Sequence, residues 1–372
     1  MSGQQGSGLR VDAIEVWTLT LDRLTPFSSA NETIQRETHP IVAIRAGGLT
    51  GWGEAPVPRA PLYLPESVST VLDALKNHLA PRLLGKILTE PDDAADAMGP
   101  VRGNLFAKHA LETAALDLIC QKQQISLARL LGATTAHVAA GATFGLPQHP
   151  EDLFDQIDEA LDLGHTRIKV KIAPGRDASL LQTLRDRYPD IALTADGNSA
   201  YSIQDAGDLI ALDRFDLTLL EQPLAWDDFV DHAALQARMK TPLALDESLQ
   251  SDSDLATAIA LKSCRAIVLK PAHVGGPWQA KKMHDRAHRA GLPIMIGGMH
   301  DFCIARAANL AVAALPGCSV PGDVGGTDRY YGTDLVDPPL RMSATGMPVP
   351  DRPAVNESAV RKTAEFQFKV TL

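Results

Sequence analysis

The sequence predicts an α/β protein: a (β/α)₇β TIM-like barrel with an α+β N-terminal capping domain that the C-terminal tail completes. Three observations carry that prediction. From about residue 137 onward, short apolar or β-branched runs alternate with helical stretches, the pattern of βαβ units on a parallel sheet. Ionisable residues recur at or beside the C-terminal ends of five consecutive runs, the end where such barrels carry their active sites. The first 130 or so residues have another texture, strands followed by helices, and therefore form a unit of their own.

Taken in order, residues 9 to about 60 read as strands with turns: VDAIEVWTLTL, then PIVAIRAGGLTGWGEA with Gly47-Gly48 as its turn. From about 66 to 132 the pattern is helical, in ESVSTVLDALKNHLAPRLLG and NLFAKHALETAALDLICQKQ. In the second stretch Leu105, Ala110, Ala114, Leu116 and Ile119 line one broad face. The barrel runs are HVAAGATFG, RIKVKI, IALTAD, LTLLEQP, PLALDES, AIVLKPA and PIMIGG. An eighth element falls near residues 317–323 (GCSVPGD), and eight such units close a ring. The tail from Asp351 is too polar and irregular for a barrel element; it returns to the first domain or frays. The expected divisions are residues 1–132 for the cap, 133–330 for the barrel and 331–372 for the returning segment.

A chain of 372 residues has room for a barrel and an accessory domain. Its 45% apolar and 22% charged residues are the balance of a soluble globular protein. The net charge of −10 is spread along the chain, with no basic stripe, which excludes nucleic acid as the main partner. Cys120, Cys264, Cys303 and Cys318 show no C-x-x-C spacing, as expected of buried thiols in a reducing compartment. The start, MSGQQGSGLR, lacks an apolar core and does not read as a signal peptide. No apolar run reaches the ~18 residues that a membrane span needs. The expectation is a cytoplasmic homo-oligomer without membrane partners.

The stretch TRIKVKIAPG holds an apparent contradiction. Ile168, Val170 and Ile172 alternate with Lys169 and Lys171, so both ammonium groups share one face of a strand. The spacings resolve it: Lys171 to Asp196, Asp196 to Glu221 and Glu221 to Asp246 are 25 residues each, and Asp246 to Lys270 is 24. By period these residues end strands two to six of the barrel. Asp196, Glu221 and Asp246 then converge from neighbouring strands, and three buried carboxylates raise one another's pKa values or demand a cation. Oxygen ligands without His or Cys favour Mg²⁺, with Mn²⁺ as a substitute. Strands two and six are opposite in the ring, so Lys171 and Lys270 face each other across the mouth. A lysine beside a divalent cation and a second lysine is expected to lose its proton more easily and to serve as a base. The implied substrate is a small-molecule carboxylate whose α-proton is removed, the cation stabilising the enediolate.

K-V-K at 169–171, D-G-N at 196–198, E-Q-P at 221–223, D-E-S at 246–248 and K-P-A-H-V-G-G at 270–276 resemble the enolase superfamily, specifically its muconate-lactonizing-enzyme subgroup. The resemblance extends through GWGE at 51–54, GNLFAKHALETAALDL at 103–118 and GGM at 297–299. Within that subgroup the texture is most similar to the N-acylamino acid (N-succinylamino acid) racemases and o-succinylbenzoate synthases. A Lys base with an Mg²⁺-stabilised enediolate is a known pattern of that superfamily. The resemblance implies Asp196, Glu221 and Asp246 as metal ligands and Lys171 and Lys270 as the acid/base pair. It implies that Lys169 holds the substrate carboxylate or enediolate, with Asn198 beside it. Thr143 and the backbone at Gly297, Gly298 and Met299 would touch the acyl end. The chain departs from its relatives in three places: the loop SSANETIQRE, the run His300-Asp301-Phe302-Cys303, and Arg176 in place of a tryptophan. The first two fall in regions that set specificity.

Taken singly, each motif has a plainer reading. Lys169 alone reads as a snorkelling strand-end lysine, D-E-S as a helix N-cap and D-G-N as a turn. Gly275-Gly276 alone reads as a loop, or as the start of a helix that binds phosphate or carboxylate. Glu247 either orients Lys270 or caps the following helix. Trp226 and Trp278 read as loop or packing aromatics, and the scattered histidines form no second metal site. Jointly, the strand-end period favours chemistry. The leading activity is racemisation or epimerisation of an N-acylated amino acid. The rivals are β-elimination of the o-succinylbenzoate synthase kind, cycloisomerisation, dipeptide epimerisation, and a non-catalytic scaffold. SVPGDVGG lacks the Asp-x-Asp signature of dipeptide epimerases, and a scaffold has no reason to keep five inward charges.

Overall fold

The computed structural model describes residues 8–28 and 33–372. Residues 1–7 of the polar lead and 29–32 of the SSANETIQRE loop lie outside the described residues. The capping domain begins with β1 (Leu9–Ser28), antiparallel to β2 (Thr33–Ala46), which pairs in turn with β3 (Leu49–Glu54). Gly47 and Gly48 make the two-residue turn between β2 and β3 at φ 57° and 80°, a conformation that suits glycine. On the other side of β1 the final strand, Glu365–Thr371, pairs antiparallel from Ala13↔Thr371 to Thr18↔Glu365. The tail therefore completes the cap sheet.

The second helical stretch forms the helix Leu105–Gln123, and here the structure corrects the expected single face. Thirteen of its residues are buried, spread around the whole circumference. The reason is that it lies between two layers. On one side it meets β3 so closely that a Cβ at Gly53 would come within 1.9 Å of the Ala110 carbonyl oxygen, and one at Gly51 within 2.0 Å of that of Ala114. On the other side its Glu112 reaches the barrel.

The barrel sheet has seven hydrogen-bonded parallel strands in sequence order: Gly141–Phe144, Arg167–Lys171, Leu193–Asp196, Leu219–Glu221, Leu243–Leu245, Ala266–Leu269 and Ile294–Ile296. The expected eighth element is present as isolated bridges. Val320 N donates to Ile294 O at 3.3 Å, Asp323 N to Ile296 O at 2.9 Å, and Gly141 N to Gly322 O at 2.7 Å. Residues 320–323 thus join the seventh strand to the first and close the ring. Pro321 has no N–H to donate, so a continuous ladder cannot form there. Ile168, Val170 and Ile172 pack outward with the covering helices, which turns Lys169 and Lys171 into the barrel. Beneath the site the interior is a small apolar layer of Leu219, Ala244, Ala266, Val268 and Met295.

Candidate active site

Strand register explains why residues 25 positions apart meet. Lys171 pairs with Asp196 and Asp196 with Glu221, so the three share one rung across the second, third and fourth strands. Asp246 and Lys270 each follow the last residue of the fifth and sixth strands. Lys169 Nζ lies 3.0 Å from Glu221 Oε2, 3.5 Å from Asp196 Oδ2 and 2.5 Å from Asp323 Oδ2. Lys171 Nζ donates to Asp196 Oδ2 at 2.8 Å and to Asn198 Oδ1 at 2.5 Å. Lys270 Nζ donates to Asp246 Oδ2 at 2.6 Å and contacts the Tyr63 hydroxyl at 2.8 Å. Lys169, Lys171, Lys270, Asp196, Glu221 and Asp246 are each at most 9% exposed.

That burial sets the electrostatics. Burial opposes ionisation of Asp196, but Lys171 and Lys169 outweigh it and hold the carboxyl far below its ordinary range. Burial and the Asp196 charge push Glu221 well up despite Lys169. Burial also works against charge on Lys169, yet Asp323, Glu221 and Asp196 keep its ammonium form. Lys270 behaves alike: burial favours the neutral amine, but Asp246 and Glu247 hold the proton on it. At Lys169 and Lys270 the adjacent carboxylates thus outweigh burial and raise the ammonium pKa. Burial and the charges of Asp246 and Asp196 raise Glu247 to about 8.

Among the described residues, no group of three His, Cys, Asp or Glu side chains stands ready to hold a metal ion. The ammonium groups of Lys169, Lys171 and Lys270 occupy the carboxylate oxygens instead. The donor chemistry nevertheless fits a hard cation. Asp246 Oδ1 is buried without a hydrogen-bond partner, and Glu221 is driven toward its neutral form by charge that a cation would compensate.

One cavity of about 390 Å³ is lined by Thr143, Lys169, Lys171, Asn198, Lys270, Gly298 and Met299. The model of the mandelate racemase / muconate lactonizing enzyme N-terminal domain matches residues 13–132, and that of the enolase C-terminal domain-like family matches residues 152–353. The chain belongs to the enolase superfamily. The o-succinylbenzoate synthase of Bacillus subtilis (strain 168) is 38% identical to this superfamily member over 359 residues, 95% of this chain and 96% of that protein. The N-succinylamino acid racemase of Thermus thermophilus is 37% identical over 98% of both chains. A solved enolase-superfamily structure from Listeria innocua superposes with a TM-score of 0.93 at 31% identity, covering 98% of this chain and 99% of that one. Such relatives are lyases and racemases, and this superfamily member is an enzyme of the same kind.

Several residues of this enolase-superfamily site escaped the sequence reading. Asp323 ends the eighth element and bonds Lys169, Arg167 and Thr143. It continues the strand-end pattern one strand past the uncharged Gly297, which was a usable signal. Arg167, fully buried below it, donates to Thr194 Oγ1 at 3.0 Å and to Pro321 O at 2.7 Å. Tyr63 arrives from the cap, 183 residues before Asp246 in sequence, and no local pattern announces it. Glu247 does not cap the next helix, which is capped by Ser251; its Oε1 accepts from Asn198 Nδ2 at 3.0 Å, and its charge acts on Lys270. Of His300 to Cys303, only His300 lines the cavity. Phe302 instead stacks on His39 with ring centroids 4.1 Å apart, and Asp301 and Cys303 are buried. Arg176 donates to the carbonyls of Pro147 and Gln148, tying down a neighbouring loop.

Proposed function

We propose that the enzyme removes the proton α to the carboxylate of an N-acylamino acid and returns it on either face, as a racemase or epimerase. One observation supports this most: Lys171 and Lys270, at the ends of the second and sixth of eight strands, line the same cavity. Each is in place to take a proton from, or deliver one to, its own side of a substrate carbon. Lys169 contributes fixed positive charge where the substrate carboxylate becomes an enediolate. Asp196, Glu221 and Asp246 are the proposed ligands of Mg²⁺, or Mn²⁺ in its place. When bound, the ion supplies Lewis-acid stabilisation of that enediolate and relieves the crowding of the three carboxylates. Thr143, Gly298, Met299 and Asn198 shape the substrate's seat. In this reading residues 133–330 carry the chemistry, 1–132 close the cavity from above, and 331–372 return to the cap.

The second reading is β-elimination, favoured by the 38% identity to the o-succinylbenzoate synthase of Bacillus subtilis. There one lysine moves the proton and the other serves as a cation. Hydrogen–deuterium exchange at Cα, followed by NMR with both enantiomers of N-succinylphenylalanine and Mg²⁺, tests the proposal. Exchange from both enantiomers supports racemisation; exchange from neither, with any N-acylamino acid, removes it.

A further inference from the structure

The loops that carry the three proposed ligands are tied together by a side chain that the chemistry above does not use. Gln222 directly follows Glu221, is fully buried, and stands at φ 34°, a left-handed conformation uncommon for a residue with a side chain. The sheet ladder shows what that conformation does. Leu220 N donates to Pro242 O and Gln222 N to Ala244 O, both at 2.9 Å. In a parallel ladder that continued this pattern, the Gln222 carbonyl would next accept from Asp246 N. Instead it is turned the other way and accepts from Ser199 N at 2.8 Å, on the loop after the third strand.

The side chain fills the place that its own carbonyl leaves. Gln222 Oε1 accepts from Asp246 N at 2.9 Å and from Ser248 N at 3.4 Å. Its Nε2 donates to Ser248 Oγ at 2.8 Å and to Leu224 O at 3.3 Å. Backbone N–H groups on one amide atom and a carbonyl on the other fix which end is the oxygen. The third loop is bent to meet it. Asn198 and Ser199 stand at φ 42° and 59°, and a Cβ on Gly197 would lie 2.9 Å from Pro223 Cα. Asn198 N in turn donates to Asp196 Oδ1 at 3.0 Å. Gln222 thus bonds the loop after Asp196 and the loop that begins with Asp246, while sitting beside Glu221 itself. Left-handed backbone at non-glycine residues persists where surrounding bonds over-determine it, and it clusters at functional sites.

We propose that Gln222 is a positioning residue that presets the spacing of Asp196, Glu221 and Asp246, so that the trio is ordered before a cation enters. The inference rests on the reading of those three residues as metal ligands. A trio left loose has to be ordered by the incoming ion, which weakens binding. The effect of losing Gln222 therefore falls on affinity for the ion rather than on the lysines that move the proton.

The probe is Mn²⁺, whose free ion electron paramagnetic resonance counts directly, added to the full-length protein. Gln222→Met keeps the length of the side chain and removes its hydrogen bonds, whereas Ser248→Ala removes only the hydroxyl that braces Nε2. Gln222→Met should weaken Mn²⁺ binding by about ten- to a hundredfold at unchanged stoichiometry, the usual worth of a residue that orients metal ligands. Ser248→Ala should fall between it and wild type. Raising Mn²⁺ well above the variant's dissociation constant should restore most of the α-proton exchange lost in Gln222→Met. A side chain needed only for folding would lower the fraction of protein that binds and leave the affinity of the remainder unchanged. That result overturns the inference, as does wild-type affinity in Gln222→Met. If Gln222→Met does not fold, wild-type affinity in Ser248→Ala overturns it. Glu221→Gln in the same assay separates the two claims. Binding lost in Glu221→Gln but unchanged in Gln222→Met removes the positioning role alone. A wild type that binds no ion removes the ligand reading, and the positioning role with it.

Discussion

Lys169 and Lys171 are two residues apart on one strand, yet they hold different partners. Lys169 is locked among Glu221, Asp196 and Asp323, whereas Lys171 has one carboxylate and the amide of Asn198. A base must exchange its proton, and the less encumbered amine suits that role. The period-2 pattern made both lysines legible as inward-facing, and the spacing of about 25 residues made their acidic partners legible. Tyr63 was not legible, because it depends on a contact across 183 residues of chain that no periodicity encodes. Glu221→Gln is expected to keep the fold, since stability resides in the layers below the site. It should lower α-proton exchange about a thousandfold or more, as metal polarisation of a carboxylate is worth several kcal/mol. Exchange rates at limiting Mg²⁺ together with circular dichroism check both halves, and near-wild-type turnover rules out the ligand assignment.

Two acidic side chains of the cap dock onto the N-termini of barrel helices. Glu54, the last residue of β3, accepts from Phe302 N at 2.7 Å and from Ala305 N at 2.9 Å, at the start of the helix Cys303–Ala313. Glu112 accepts from Trp278 N and from Gln279 Nε2, both at 3.0 Å, at the start of the helix Pro277–Arg289. Helix N-termini favour such partners through their unpaired N–H groups and dipole. Gly276 is required there, because a Cβ would lie 1.7 Å from Glu112 Oε2. The Gly275-Gly276 pair thus marks a carboxylate-binding helix start, but the carboxylate belongs to the chain itself. Sequence pattern supplied the helix start and could not supply its occupant.

The two carboxylates differ in charge state. Burial opposes ionisation of Glu54, but His39 and the two backbone N–H groups hold its pKa below the ordinary value. Glu112 has no imidazole beside it, and burial raises it to about 7 against the hydrogen bonds from Gln279 and Trp278 and the charge of Lys282. The folded state then binds this proton more tightly than the unfolded state. Its contribution to stability is present below pH ~4.5 and is lost as pH rises to about 7, by up to about 3 kcal/mol. Denaturant unfolding of wild type and Glu112→Gln across that window should show wild type losing stability relative to the variant as pH rises. A difference independent of pH would place the proton elsewhere.

At the scale of the whole molecule, the barrel and the cap were both readable because their hydrophobic periods differ and the tail fits neither barrel period nor covering helix. The closing segment at 320–323 was readable only in position: its GCSVPGD sequence carries too few strand formers to show that it would pair through isolated bridges. The helix Leu105–Gln123 misled for a related reason, since a helix buried between cap sheet and barrel has no polar face to reveal its orientation. The assembled site predicts metal-linked stability. Mg²⁺ at about a hundred times its dissociation constant should stabilise the folded state by about 2.7 kcal/mol through mass action. Thermal unfolding with and without Mg²⁺ reads this directly, and Glu221→Gln should lose most of the shift.

The claim on which the account turns is that two lysines serve the two faces of one carbon. Deuterium exchange at Cα of D- and L-N-succinylphenylalanine, measured in Lys171→Ala and Lys270→Ala, tests it most directly. Each variant should lose exchange from one enantiomer and keep it from the other, and the lost enantiomer should differ between the two variants. The asymmetry should be ~10²–10⁴-fold, the usual worth of a positioned base. Equal loss from both enantiomers in both variants would contradict the two-face arrangement and leave elimination as the better account.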